Sequence, residues 1–231
     1  MKNKKTALVI EGGGQRGVFS FGITDTFIKR KYDPFDIYIG VSNGVAVLYW
    51  YLIRETANNL DKMLYAASGN YFNYKDIFTG KDIFKVHQMY SDGEKKFKPN
   101  IKKIANNLNG KEFFAVVTDA IEANAEYHSF EENEWLPKMI ASGTLPVLVR
   151  TPSLINGRRK FDGGIADPLP AEKAYTLGAK KIVVIRTYEK KFRRKLKLEN
   201  FIGALLSRKY PKLRKALLEH DKTYNRALDF I

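Results

Sequence analysis

The chain has 231 residues, 44% of them hydrophobic and 28% charged, with a formal net charge of +15 and no cysteine. This is the composition of a folded protein the size of one α/β domain. It excludes disulfides, thiolate-ligated zinc and a cysteine nucleophile. The excess of 40 Lys and Arg over 25 Asp and Glu implies attraction to an anionic surface, whether phospholipid, nucleic acid or acidic protein.

Residues 1–10 begin like a secretory leader, but the apolar run is too short and meets Glu11 and glycines at once. The segment reads as a basic lead-in to a buried strand at residues 6–10, and the protein as cytoplasmic. No stretch is long and apolar enough to cross a bilayer. Glu11-Gly12-Gly13-Gly14-Gln15-Arg16-Gly17 follows the strand. Three bare glycines let backbone N–H groups converge at the start of the next helix, which makes a nest for an anion. Gly12, Gly14 and Gly17 also satisfy the dinucleotide fingerprint. That reading requires an acid at the end of the second strand, and Gly40-Val41-Ser42 stands there instead.

Residues 18–31 read as a helix with Phe19, Gly22, Ile23, Phe27 and Ile28 on or near one face, broken by Asp33-Pro34. Residues 35–41 form a second strand, parallel to the first, whose end brings the next motif beside the glycine loop. Gly40-Val41-Ser42-Asn43-Gly44, ahead of the apolar helical run 45–53, has the strand–turn–helix context in which a serine becomes a nucleophile. The tight turn strains the serine, and Gly40 and Gly44 avoid collisions with strand and helix.

The section 58–109 is less regular, with helical stretches at 60–67 and 100–108. Its aromatic-rich part, 69–93, suits a small satellite core better than a lid. Strand character returns at 112–118, a helix at 135–142 and a hairpin at 153–161 turning at Asn156-Gly157. Asp162 ends that hairpin, and Gly163 and Gly164 let the backbone bring its carboxylate close to a ligand. A helix at 170–177 and a last parallel strand at 181–187 complete a core spanning about 5–187. A basic amphipathic segment occupies 190–231. Of the three histidines, only His220 extends the pair to a triad in the order Ser42, Asp162, His220. Its charged helical surroundings suit a solvated histidine better.

The glycine loop, the serine pentapeptide and Asp162-Gly163-Gly164, in that order and spacing, resemble the patatin-like phospholipase family. Ala141-Ser142-Gly143-Thr144-Leu145-Pro146 and Ile165-Ala166-Asp167-Pro168-Leu169-Pro170 add to the resemblance. It implies a single domain, 1–231, of three α/β/α layers around a mainly parallel sheet. It also implies a Ser–Asp dyad acting on a lipid or other acyl ester, such as a phospholipid or lysophospholipid. Ser42 would be the nucleophile and Asp162 the base. Gly13 and Gly14, with Gly12 and Gln15, would supply the oxyanion hole, with Arg16 in a supporting or phosphate-steering role. The scheme needs neither metal nor cofactor.

Two departures stand out. Asn43 replaces a usually small residue and is expected to narrow or polarise the pocket. The chain also stops early, which is expected to affect only the periphery. The basic tail fits peripheral association with an anionic membrane, and no motif points to specific nucleic-acid recognition. The rival reading is a basic membrane- or nucleic-acid-binding protein with a vestigial hydrolase site.

Overall fold

The computed structural model describes residues 4–54 and 59–231. Residues 1–3 of the basic lead-in and residue 58, where the irregular section opens, lie outside the described residues. In chain order the elements are β1 (Lys5–Ile10), α1 (Gly17–Lys29), β2 (Ile37–Val41), α2 (Asn43–Ile53), α3 (Asn59–Ala67), α4 (Asp76–Thr79), α5 (Val86–Phe97) and α6 (Lys102–Leu108). Then come β3 (Glu112–Asp119), β4 (Ala125–Ser129), α7 (Trp135–Ser142), β5 (Ser153–Ile155), β6 (Arg158–Asp162), α8 (Ala171–Thr176), β7 (Ala179–Ile185), α9 (Leu198–Leu206), α10 (Pro211–Leu218) and α11 (His220–Phe230).

The strands form one sheet in the order β5-β6-β3-β2-β1-β7, with β4 also paired to β3. The central strands β3, β2, β1 and β7 are parallel, β4 and β6 pair antiparallel with β3, and β5 pairs antiparallel with β6. Alternate residues of β1 and β2 enter different cores. Leu8, Ile10 and Tyr38 pack with α2 on one face, and Ala7, Val9, Ile37 and Ile39 pack with Ala174 of α8 on the other. A sheet buried on both faces requires helices on both, which gives three layers. Every residue of α2 from Gly44 to Ile53 is buried, as an all-apolar helix between the sheet and outer helices must be. No helix among the described residues is long and apolar enough to cross a membrane.

Register explains how residues 120 positions apart meet. On β3, Val116 pairs with Val41 of β2, and the next residue, Val117, pairs with Asp162 of β6. β4 pairs with the same stretch, Phe114 to Thr118, and so occupies the opposite edge. Strands β2 and β6 therefore lie end to end along one edge of β3, with Ser42 and Asp162 at their junction.

One expectation needs correction, and two features were not read from the sequence. α1 turns Phe21 inward and leaves Val18 and Phe19 exposed, because its buried positions are Gly17, Ser20, Phe21 and Thr24. Strand β4, too polar to stand out in the sequence, adds to the far edge of β3. The C-terminal segment joins the core: Ala204, Leu213 and Leu217 bury themselves against Phe161 and Ile165. The aromatic-rich section does pack as a satellite core, with Val86, Ile140 and Val149 surrounded by Phe84, Tyr90, Leu136 and Leu148.

Candidate active site

Ser42 is the residue between β2 and α2, with φ +54° and ψ −128°. A side chain at that backbone conformation is strained, and it persists only where the surroundings enforce it. The enforcement is visible. The Ser42 N–H donates to Ser142 Oγ at 2.8 Å, and Ser142 Oγ donates to Val116 O at 2.6 Å. Gly44 packs so tightly against β1 that a Cβ there would stand 2.4 Å from Ile10 O. The hydroxyl sits beside the first turn of α2, where the helix presents positive potential.

Asp162 ends β6 and is almost fully buried. Its backbone is fixed on both sides: its N–H donates to Thr144 O at 2.8 Å, and Thr118 Oγ1 donates to its carbonyl at 2.8 Å. Carboxylate Oδ1 accepts the Gly164 N–H at 2.8 Å, and Oδ2 is buried without a partner among the described residues. Burial pushes the carboxyl up to about 6, against the lowering effects of the Ser42 hydroxyl, the Gly164 amide and the Arg194 charge. Ser42 thus lies near enough to act on Asp162. The result is a carboxylate with one oxygen held and the other open.

The glycine loop closes over this pair. A Cβ on Gly12 would fall 2.7 Å from Ser42 Cβ, so only glycine lets the loop sit there. Among the described residues, no acceptor is found for the N–H groups of Gly12, Gly13 or Gly14. All three glycines line a cavity of about 400 Å³ that also holds Ser42, Asp162 and Gly164. Gln15 does not line it and is exposed in the turn. Arg16 lies on the rim, its guanidinium 4.2 Å from the Tyr188 ring centroid. Asn43 does not enter this cavity as expected; its Nδ2 donates to Gly14 O at 2.8 Å and ties the elbow to the glycine loop. Gly17 makes room for that side chain, since a Cβ there would lie 1.8 Å from Asn43 Nδ2. Gly40 lies at the close turn and Gly163 beneath Asp162, both against neighbouring backbone.

The opposite wall is built by the C-terminal segment. Arg194, Asn200, Leu217, His220 and Tyr224 line the cavity, with Leu145, Val147, Leu148 and Ile165 completing an apolar side. His220 corrects the expectation of a solvated histidine. It is buried, and its Nε2 lies 2.8 Å from Gly164 O. A carbonyl only accepts, so Nε2 carries the hydrogen and Nδ1 is bare; Nδ1 is buried with no partner among the described residues. Burial, with the Arg194 charge, pushes the imidazole down to about 4, so it is neutral at physiological pH. His220 thus holds Gly164, whose N–H holds Asp162. Tyr224 is anchored in turn: its hydroxyl donates to Glu11 Oε1 at 2.6 Å, and Glu11 Oε2 accepts the Thr187 N–H at 2.6 Å. Sequence reasoning missed Arg194, Asn200 and Tyr224 as site residues because no short motif surrounds them, and weighed His220 only as a triad member. Ser142 lay inside a recognised stretch without an assigned role.

The model for "Patatin-like phospholipase" matches residues 8–175, most of the chain. An uncharacterized protein of Escherichia coli strain K12, YjjU, is 28% identical over 185 residues, covering 79% of this chain and 52% of its own length. The chain therefore spans about half the length of that curated relative. The crystal structure of VipD from Legionella pneumophila aligns over 78% of this chain and 49% of its own, with 15% identity and a TM-score of 0.45. The serine elbow, the glycine loop and the aspartate turn that meet in the cavity all fall within the matched residues, and the chain belongs to the patatin-like phospholipase family.

Proposed function

We propose that the protein hydrolyses carboxylic esters of lipids, with Ser42 as nucleophile and Asp162 as its general base. The observation that carries this reading is the junction itself: a strained serine beside a buried aspartate whose Oδ2 has no partner, under three amides with nothing to bind. Ser42 Oγ attacks the ester carbonyl as Asp162 takes its proton. The N–H groups of Gly12, Gly13 and Gly14 hold the developing oxyanion. The alcohol leaves with the proton from Asp162. Water then attacks the acyl-enzyme, gives a proton to Asp162 and releases the fatty acid, and that proton returns to Ser42. A carboxylate with a pKa of about 6 is ionised at pH 7 yet basic enough to accept a proton, as this role requires.

The surface around the cavity supports work at a lipid interface. α9 turns Asn200 and Gly203 toward the cavity and Leu198, Phe201 and Leu205 outward, with Leu198 73% exposed. Exposed Lys190, Lys191, Lys195 and Lys197 precede this apolar face and Arg208 and Lys209 follow it. An apolar stripe flanked by cations suits peripheral docking on an anionic bilayer.

The test is release of p-nitrophenol from a short-chain ester and of fatty acid from phosphatidylglycerol vesicles. Both are expected from the native chain and neither from Ser42→Ala. Equal turnover by the two proteins would refute the assignment.

A further inference from the structure

We propose that α11 is a strap holding both halves of the catalytic machinery, with Tyr224 and Thr187 as positioning residues for the oxyanion loop. The inference rests on the hydrolase reading above and adds to it the parts that aim the loop.

His220 and Tyr224 stand four residues apart, so one face of α11 carries both, and both are buried. His220 holds Gly164, whose N–H holds Asp162. Tyr224 reaches the other half of the site. Its hydroxyl donates to Glu11 Oε1 at 2.6 Å. Glu11 is itself buried, and its Oε2 accepts the Thr187 N–H at 2.6 Å. Thr187 Oγ1 then lies 3.2 Å from Glu11 Oε2 and 3.2 Å from Gly12 O, with one hydrogen to give.

The acceptor that receives this hydrogen sets the aim of the loop. A trans peptide points its C=O and its N–H in opposite directions. A Gly12 carbonyl held on Thr187 therefore turns the Gly13 N–H away from Thr187, and that N–H has no acceptor among the described residues. Gly13 rests directly on the same side chain, since a Cβ there would stand 2.9 Å from Thr187 Oγ1. With Oε1 satisfied by Tyr224 and Oε2 by the Thr187 amide, Glu11 leaves the Thr187 hydroxyl to Gly12. Without the Tyr224 hydroxyl a buried carboxylate oxygen loses its donor, which is costly. Glu11 then draws the Thr187 hydrogen to itself and releases Gly12.

The strap is seated independently of the loop it aims. The Tyr224 ring meets Tyr188 and Phe192 edge-on, with centroids 6.5 Å and 6.0 Å away. Asn225 clasps the backbone of residue 194: Oδ1 accepts its N–H at 2.9 Å and Nδ2 donates to its carbonyl at 2.9 Å. Phe230 closes the far end against Tyr175 of α8, with centroids 6.2 Å apart.

The test is steady-state hydrolysis of p-nitrophenyl butyrate, with inhibition by hexyl trifluoromethyl ketone, whose adduct with Ser42 is an oxyanion. Tyr224→Phe and Thr187→Val are each expected to lower kcat about tenfold and to weaken the ketone by about the same factor, with KM moved less than about twofold. Thr187→Ser keeps the hydroxyl and should retain most of the activity. Tyr224→Phe with Thr187→Val should lose no more than Thr187→Val alone, because both lie on one path. His220→Ala with Tyr224→Phe should multiply the single losses, because the two act on separate halves. Multiplied losses in the first pair, or native activity in Thr187→Val, would overturn the proposal. A lower kcat with no weakening of the ketone would give these residues a structural role and overturn it too. If Tyr224→Phe does not fold, Thr187→Val leaves α11 untouched and carries the same readouts. Turnover that survives Ser42→Ala would instead refute the hydrolase reading, and the strap with it.

Discussion

The cavity has two walls built on different principles. The wall from β1, β2 and β6 is mostly backbone: bare amides at Gly12 to Gly14, a strained turn at Ser42 and a tight turn after Asp162. The wall from residues 194–224 is side chains on helices and on the loop before them: Arg194, Asn200, Leu217, His220 and Tyr224. At Gly12 and Gly44 the first wall has no room for added atoms, since a Cβ there would overlap its neighbours. The second wall can exchange one side chain for another without moving the backbone. The proposed mechanism assigns reactivity to the wall that tolerates no change, and leaves substrate choice to the wall that does.

The largest expected effect lies at the junction of the walls. Asp162→Asn is expected to lower kcat by about 10³–10⁴-fold or more, measured with a p-nitrophenyl ester. His220→Ala should cost about tenfold, because it releases Gly164 rather than removing the base. Equal losses in the two variants would restore the triad and erase the distinction between the walls.

Next in size is a stability effect in which the two walls oppose each other. Asp162, raised to about 6, favours the folded state less as pH rises from about 4 to 6, since the unfolded chain then gives up a proton that the native chain keeps. His220, lowered to about 4, favours it less as pH falls from about 6.5 to 4, since the unfolded chain gains a proton the native chain refuses. Each shift amounts to roughly 3 kcal/mol, and the slopes nearly cancel. Asp162→Asn should therefore be more stable than the native protein at pH 8 and lose stability on acidification to pH 4.5. His220→Ala should gain stability over the same interval. Urea unfolding at the two pH values checks this, and parallel behaviour of the two variants would contradict it.

Smaller effects sharpen the picture of the backbone wall. Gly12→Ala is expected to cost about 10²–10³ in kcat, the scale of losing an oxyanion donor, by pushing the loop off Ser42. Asn43→Ala unties the elbow from Gly14 O and should lower kcat about tenfold with about 1 kcal/mol of stability. A change in KM alone for either variant would place these residues in ground-state binding instead.

The backbone wall was legible in the sequence because close approach and strain leave glycines at fixed spacing around Ser42 and Asp162. The order of the strands that carry them, and the satellite core, followed from apolar runs and turn residues. The side-chain wall was not legible. His220, Arg194 and Tyr224 come from a basic stretch whose local pattern is that of a solvated helix. Only packing of Leu213 and Leu217 against Phe161 and Ile165 turns it inward. The end-to-end meeting of β2 and β6 was hidden for a related reason, since register along β3 depends on pairings between strands far apart in the chain. Asn43 was misread because its partner is a carbonyl 29 residues away.

The most direct measurement of the central claim is labelling with a fluorophosphonate probe, with the modified residue mapped by mass spectrometry across pH 4 to 8. The account predicts modification at Ser42 alone, rising through a single step near pH 6 and lost in Asp162→Asn. Modification of another residue, or labelling of Ser42 that persists in Asp162→Asn, would contradict it.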